Sequence, residues 1–251
     1  MKQTDLVKHL DELLKPREFK DSSQNGLQVD GAPEVRKVAF AVDACLASFK
    51  GAVRAGAQML IVHHGMFWDK PVIPTGTAYR RLKVLFDANV SLYASHLPLD
   101  AHPTLGNNAE LCRLLGLRKR RAFGEYHGQP IGFGGELPAP LTMEQLAERL
   151  RKATGDRNVH VFTYGPKRVK SVGCISGGAA GMVEQAQRAG FDAYVSGEGG
   201  HGNFHDFAER GANVLLGGHY ATETLGVKAL QAHLARKLKL ATVFLDLPTG
   251  M

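Results

Sequence analysis

Apolar and polar positions alternate along this chain in two periods, short continuous apolar runs and longer amphipathic stretches. The opening stretch MKQTDLVKHLDELLKP carries charges throughout and reads as an amphipathic helix. Val38 to Gly65, VAFAVDACLASFKGAVRAGAQMLIVHHG, reads as a buried strand, a turn, a helix, a Gly C-cap and a second buried strand. Pro71 to Gly76 is a loop, and Ala78 to Asn89 is helical. Helices are also expected over Asn108 to Leu117, Leu141 to Ala153 and Thr222 to Leu238. A Gly-rich strand, Pro130 to Leu137, opens the second half, and a last strand, Ala241 to Leu247, stops at Pro248.

The pattern repeats. Val172 to Gly199, VGCISGGAAGMVEQAQRAGFDAYVSGEG, overlays Val38 to Gly65 without a gap, and Arg54-Ala55-Gly56 falls on Arg188-Ala189-Gly190. Each copy predicts a βαβ unit with parallel strands and a right-handed crossover. Downstream, Ala88 to Asp100 resembles Ala212 to Glu223 with a one-residue slip, and Thr-Leu-Gly follows both, at Thr104 and Thr224. In both copies a strand delivers a His and a carboxylate follows four residues on, His96 with Asp100 and His219 with Glu223. The expected fold is α/β: two similar domains, 1–125 and 126–251, each a mixed sheet with flanking helices, packed face to face.

Composition narrows the class. The 251 residues are 44% hydrophobic and 22% charged, which excludes a disordered or fibrous chain. No run approaches 18 apolar residues and the N-terminus lacks an apolar signal core, so a cytoplasmic protein without a membrane partner is expected. Cys45, Cys112 and Cys174 lie far apart without a CxxC pair, arguing against a disulfide framework or a Cys-type zinc site. A net charge of +7 favours anionic partners such as nucleotides or single-stranded nucleic acid. The run Arg118-Lys119-Arg120-Arg121 is either part of such a surface or a solvated cluster beside the domain junction.

Candidate chemistry collects at strand ends, where βαβ folds hold ligands. His63 and His64 end one predicted strand, His96 another, Glu198 a third and His219 a fourth; His201 and His205 lie just beyond. At a strand end where Gly65 lets the chain turn, adjacent imidazoles can splay toward two ions. His219 and Glu223 share a helical face if a helix starts near Gly218. Pro98 makes His96 to Asp100 a turn rather than a helix interior. Imidazole with carboxylate suits Zn, Fe, Mn, Co or Ni. SGGAAG (Ser176 to Gly181) is a strand-to-helix turn, serving either close packing or a phosphate, though it lacks the Walker Lys and Ser/Thr.

Several segments together carry a resemblance across nearly the whole chain. They are SSQNGLQVDG (Ser22 to Gly31), AVDAC (Ala41 to Cys45), IVHHGMFW (Ile61 to Trp68), YASHLPLDAH (Tyr93 to His102), GNNAEL (Gly106 to Leu111), SGEGGH (Ser196 to His201), GGHYATE (Gly217 to Glu223) and FLDLPTG (Phe244 to Gly250). With these motifs the sequence resembles the GTP cyclohydrolase 1 type 2 homologues, also called NIF-three-like dinuclear-metal proteins, in their short bacterial form. The resemblance implies two divalent ions per subunit, lying between two α/β domains. It places the ligands on His63, His64, Asp100, His219 and Glu223, with Glu223 bridging. It also implies a ring-shaped homohexamer and hydrolysis of a purine nucleotide, the opening of GTP by metal-bound hydroxide. His96 and Glu198 match pocket positions and are the acid/base candidates. The alternatives are a nucleic-acid-binding or damage-response ring, and a metal-binding regulatory protein without catalysis.

Overall fold

The structure is a computed structural model that describes residues 1–250. Its elements run α1 (Gln3–Leu14), β1 (Gly26–Val29), β2 (Lys37–Asp43), α2 (Leu46–Arg54), β3 (Met59–His64), α3 (Gly76–Ala88), β4 (Ser91–Ala94) and α4 (Leu97–Asp100). There follow α5 (Asn107–Leu114), β5 (Arg118–Tyr126), β6 (Gln129–Leu141), α6 (Met143–Thr154), β7 (His160–Thr163) and β8 (Val169–Cys174). The chain closes with α7 (Val183–Arg188), β9 (Ala193–Ser196), α8 (Asn203–Glu209), β10 (Asn213–Leu216), α9 (His219–Leu238) and β11 (Ala241–Phe244).

The chain divides into two compact units, Met1–Leu99 with Val227–Leu247, and Asp100–Gly226 with the residues from Pro248. This differs from the division expected at residue 125, for two physical reasons. β11 pairs in parallel with β2, Thr242 beside Val38 and Phe244 beside Phe40, so the C-terminal strand completes the first sheet. α5 buries Leu111 and Cys112 in the core of the second unit, so the first domain ends before it.

The first sheet has the order β1-β4-β3-β2-β11, parallel except for the antiparallel edge strand β1. One face carries Ala39, Leu60, Val62 and Leu92 against Phe49 and Ala52 of α2 and Leu82 and Leu85 of α3. On α1, Leu6, Leu10 and Leu14 recur at helical spacing and are buried. Two hydrogen bonds anchor that helix to β4, a buried one from Gln3 Nε2 to Ser91 Oγ (2.8 Å) and a part-buried one from the Tyr93 hydroxyl to Asp11 Oδ1 (2.8 Å). α2 starts at a capping box in which the Cys45 side chain accepts from the Ser48 N–H, so this cysteine is structural.

The second sheet has the order β5-β6-β8-β9-β10-β7, with β8, β9 and β10 parallel and the other pairs antiparallel. Its core joins α5 and α6 to the sheet through Leu111, Leu115, Leu146, Leu150, Val172, Val195 and Leu215. Cys112 and Cys174 are free and buried there, and burial, with Cys112 beside it, pushes the Cys174 thiol well above its ordinary pKa.

The duplication is visible in the register. Val38 pairs with Met59 and Phe40 with Ile61, while Val172 pairs with Ala193 and Cys174 with Val195, the same positions in both copies. The third strands depart from the sequence alignment. Leu60 faces Leu92 and Tyr194 faces Val214, so the strands correspond two residues away from the matched Ala-Asn-Val triplets. The correspondence follows the turn instead: Asn89 (φ 53°) and Gly211 (φ 60°) hold the same left-handed position before the strand. Asn and Gly are the residues that tolerate it, and matching identical letters missed this.

Candidate metal centre

In the first unit, β3 ends at His64, and His63 is completely buried. Their ring centroids are 4.7 Å from each other with the planes tilted by 47°, and both lie near the His96 ring, at 5.1 Å from His63 and 5.7 Å from His64. One ring nitrogen from each of His63, His64 and His96 falls within 4.8 Å of the others. Gly65 allows this because the chain turns where a Cβ would overlap the Gln28 amide and Ala94. Gln28 braces the turn by accepting the Met66 N–H at 2.8 Å. Trp68 closes one side, its Nε1–H donating to the Gly65 carbonyl (3.0 Å) and its ring edge-on to His96 at 5.1 Å.

Each of the three imidazoles is oriented through Nδ1. His63 Nδ1 contacts the Ser95 carbonyl oxygen at 2.9 Å, His64 Nδ1 contacts Asp43 Oδ1 at 2.8 Å, and His96 Nδ1 contacts Asp21 Oδ1 at 2.9 Å. Carbonyl and carboxylate oxygens only accept, so Nδ1 carries the proton and Nε2 is the basic nitrogen in all three. That arrangement of an accepting oxygen behind a ring is the one that fixes metal-ligating histidines.

Asp21 is the hub of this half. Its side chain is only 2% exposed. It accepts from the backbone N–H of Ser23 and Leu97 and from Asn25 Nδ2, besides His96. Burial alone would raise its pKa, but the His96 hydrogen bond and charge and the Asn25 and Ser23 donors outweigh it and bring it down to about 2. Asn25 also accepts the His96 N–H at 2.8 Å. Asp21 and Asp43 were not singled out from the sequence. Asp43 lay inside AVDAC, and Asp21 immediately precedes SSQNGLQVDG.

α4 makes a single helical turn where a plain turn was expected, since Pro98 sits in its first turn and needs no N–H there. In the second unit, Asp100 is 7% exposed and its Oδ1 accepts from Asn107 Nδ2 (2.8 Å) and Ser176 Oγ (3.0 Å). Asn107 Oδ1 in turn accepts the Gly226 N–H, and Asn108, also buried, bridges the Ser176 N–H to the Ile131 carbonyl. The GNNAEL and SGGAAG segments thus form one buried hydrogen-bonded frame around Asp100.

α9 begins at His219, three residues before the helix expected from Thr222, and so meets the condition that puts His219 and Glu223 on one face at its start. His219 Nε2 lies 3.0 Å from Glu223 Oε1, and Nδ1 lies 3.4 Å from Glu198 Oε1. Glycine makes room for this: Gly177 has φ +67°, and a Cβ there would overlap the Glu223 carboxylate and stand 3.2 Å from His219 Nε2. The Gly177 N–H donates to Thr222 Oγ1 and the Ser176 N–H to Asn108. These two amides are engaged within the protein, and the glycine at 177 serves the close approach of Glu223 and His219.

The remaining candidates lie elsewhere. His201 and His205 are exposed, in the loop before α8 and on α8. Arg118 to Arg121 lie in β5, where Lys119 pairs with Glu136 (3.1 Å) and Arg120 donates to the Ala109 carbonyl. Arg121 donates to the Ala189 carbonyl and stacks on Phe191, 4.6 Å from its ring centre. Three of the four cations are thereby committed to their own unit. Among the described residues, no helix is long and apolar enough to cross a membrane.

Similarity to known proteins agrees with these motifs. A sequence model of the Duf34/NIF3 family (NGG1p interacting factor 3) matches residues 1–249. A Pyrococcus horikoshii protein named GTP cyclohydrolase 1 type 2 homolog is 43% identical, covering all of both chains. A Deinococcus radiodurans protein of the same name is 40% identical over 98% of this chain and 94% of its own. A crystal structure from Thermus thermophilus superposes with a TM-score of 0.91 at 44% identity, covering both chains fully. With a match along essentially its whole length, the chain belongs to the Duf34/NIF3 family, alongside the GTP cyclohydrolase 1 type 2 homologs.

Proposed function

We propose that the protein is a divalent-metal-dependent hydrolase in which His63, His64, Asp100, His219 and Glu223 hold two metal ions, Glu223 being the bridging carboxylate. The reaction is the ring opening of a purine nucleotide such as GTP, carried out by a cytoplasmic homohexamer. The observation that carries this reading is the shared orientation of His63, His64 and His96, each held through Nδ1 by an accepting oxygen so that Nε2 is its basic nitrogen. The donor set of imidazoles and carboxylates suits Zn, Fe, Mn, Co or Ni. The names of the relatives point to the same reaction class.

Bound at these residues, two such ions supply Lewis-acid polarisation and bring the pKa of water toward neutrality. The protein supplies the proton handling. His96, with the Asp21 carboxylate behind its Nδ1, gains charge stabilisation when Nε2 takes a proton. Glu198, 3.4 Å from His219, is the second acid/base group. Two waters are consumed and both bonds from C8 to ring nitrogens break: of the four water hydrogens N7 takes two, N9 one, and the departing formic acid carries the fourth, released as a proton when it ionises to formate.

Formate release from GTP tests the reading. Metal-reconstituted protein releases formate, and His64→Ala and His96→Ala each lower the rate on the order of 100-fold or more. No formate from GTP, guanosine or other purines at any metal loading would defeat it.

A further inference from the structure

The second unit carries a trough that shares Glu198 with the proposed site and otherwise lies outside the acid/base and ligand residues. β7 is an edge strand, so its alternation sends His160 and Phe162 to one face while Val161 packs against the core on the other. Register places His160 beside Leu216 and Phe162 beside Val214. α8 lies against this face through Phe207, which is buried with its ring 5.2 Å from Phe162. Phe204, three residues earlier, is 46% exposed and forms the rim. Tyr164 (6.3 Å), Phe162 (6.2 Å) and His205 (5.3 Å) all meet the Phe204 ring edge-on.

Two cavities of 390 and 470 Å³ adjoin here, sharing His160, Gly199, Gly200 and Leu216 as a common wall. Each is of small-molecule size. The larger opens to Phe204; the other reaches Asp156, Asn158 and Glu198. Glycine shapes the wall: a Cβ on Gly199 would stand 2.8 Å from Ala180 Cβ and 3.3 Å from Leu216 Cδ1. The Gly200 N–H is held by Asn203 Oδ1 at 2.9 Å.

The chemistry of the lining selects a ligand. Aromatic faces at one end favour a planar ring, and two carboxylates at the other accept from N–H donors. Among the described residues no Lys or Arg lines either cavity, and at the inner end a phosphate meets Asp156 and Glu198 as like charges, leaving the imidazoles of His160, His201 and His205 as the donors available to an anion in the larger cavity. We infer that this trough binds a planar N-heterocycle with N–H donors, of the purine class, through its base alone, leaving any phosphates outside. The inference rests on the hydrolase reading only in that Glu198, at its inner end, is the proposed acid/base group.

Equilibrium dialysis of the full chain against guanosine and against GTP, in EDTA and at low ionic strength, tests it. Guanosine is retained at least as tightly as GTP. Phe204→Ala weakens guanosine binding on the order of 10-fold or more, the loss of one stacking face, and Phe204→Tyr restores it. Glu198→Gln improves GTP relative to guanosine. Guanosine not retained, GTP bound more tightly than guanosine, or Phe204→Ala within about twofold of the parent overturns the inference. An unchanged fit of guanosine in Phe204→Ala with an altered oligomeric state would assign the rim to contacts between copies. Guanosine binding without formate release sinks the hydrolase reading alone; formate release indifferent to Phe204→Ala sinks the trough alone.

Discussion

Both units carry three parallel strands in one register, yet their strand ends hold opposite chemistry. Where the first unit has His63 and His64, the equivalent positions of the second are Gly197 and Glu198; where it has Asp43, the second has Gly177. The first end is a cluster of imidazoles backed by Asp21, Asp43 and a carbonyl. The second is a set of carboxylates around one imidazole, His219, with glycines where side chains would collide. A repeated scaffold thus fixes where donors can stand, and each copy is free to choose which donors, because strand ends carry little of the core packing.

Exchanging small side chains at equivalent positions breaks this comparison most severely. Gly177→Ala must strain a left-handed backbone and displace Glu223, and should cost about 3 kcal/mol or more. Asp43→Ala at the equivalent site removes one hydrogen bond from a part-exposed carboxylate and should cost about 1 kcal/mol. Urea unfolding midpoints of the two variants, compared with the parent, would show the asymmetry; equal losses would deny it.

Asp21→Asn ranks next, at about 2 kcal/mol, since a buried acceptor of four donors is replaced by a group that accepts through one oxygen. The pH dependence has a definite sign. Asp21 titrates near 2 when folded and near 3.8 otherwise, so its ionised form stabilises the fold. That stabilisation, up to about 2 kcal/mol, is complete above pH 4 and lost as pH falls from about 4 through 2. Acid titration of denaturation midpoints should show a shallower decline in Asp21→Asn than in the parent.

The smallest effect sharpens the comparison at the extra edge strand of the second sheet. Arg121→Ala, which loses the Phe191 stack and one carbonyl, should cost about 1 kcal/mol. Arg118→Ala should stay within about 0.5 kcal/mol. Thermal melting distinguishes them, and equal effects would mean that the run acts as a diffuse charge.

Much of this was legible in the sequence because periodicity and duplication are written in apolar positions. The βαβ pairs and the gathering of His63, His64 and His96 at strand ends follow from them, whereas α9 starts three residues before the helix read from Thr222. The domain boundary was not legible, because the pairing of β11 with β2 joins residues some two hundred apart and leaves no local trace. β1, β5 and β7 were missed as well: short or heavily charged edge strands need satisfy only one neighbour, so their alternation is weak. Asp21 escaped for a different reason. Its importance lies in donors from His96 and Leu97, contributed by a turn far along the chain.

The central claim is that the imidazole and carboxylate ends hold metal. Elemental mass spectrometry of the native protein beside His63→Ala/His64→Ala and Glu223→Gln tests it most directly, provided the variants match the parent by circular dichroism. The account predicts about two divalent ions per chain, lost or reduced in both variants. A chain that binds no Zn, Mn, Fe or Co after reconstitution, or variants that keep the parent's content, would contradict it.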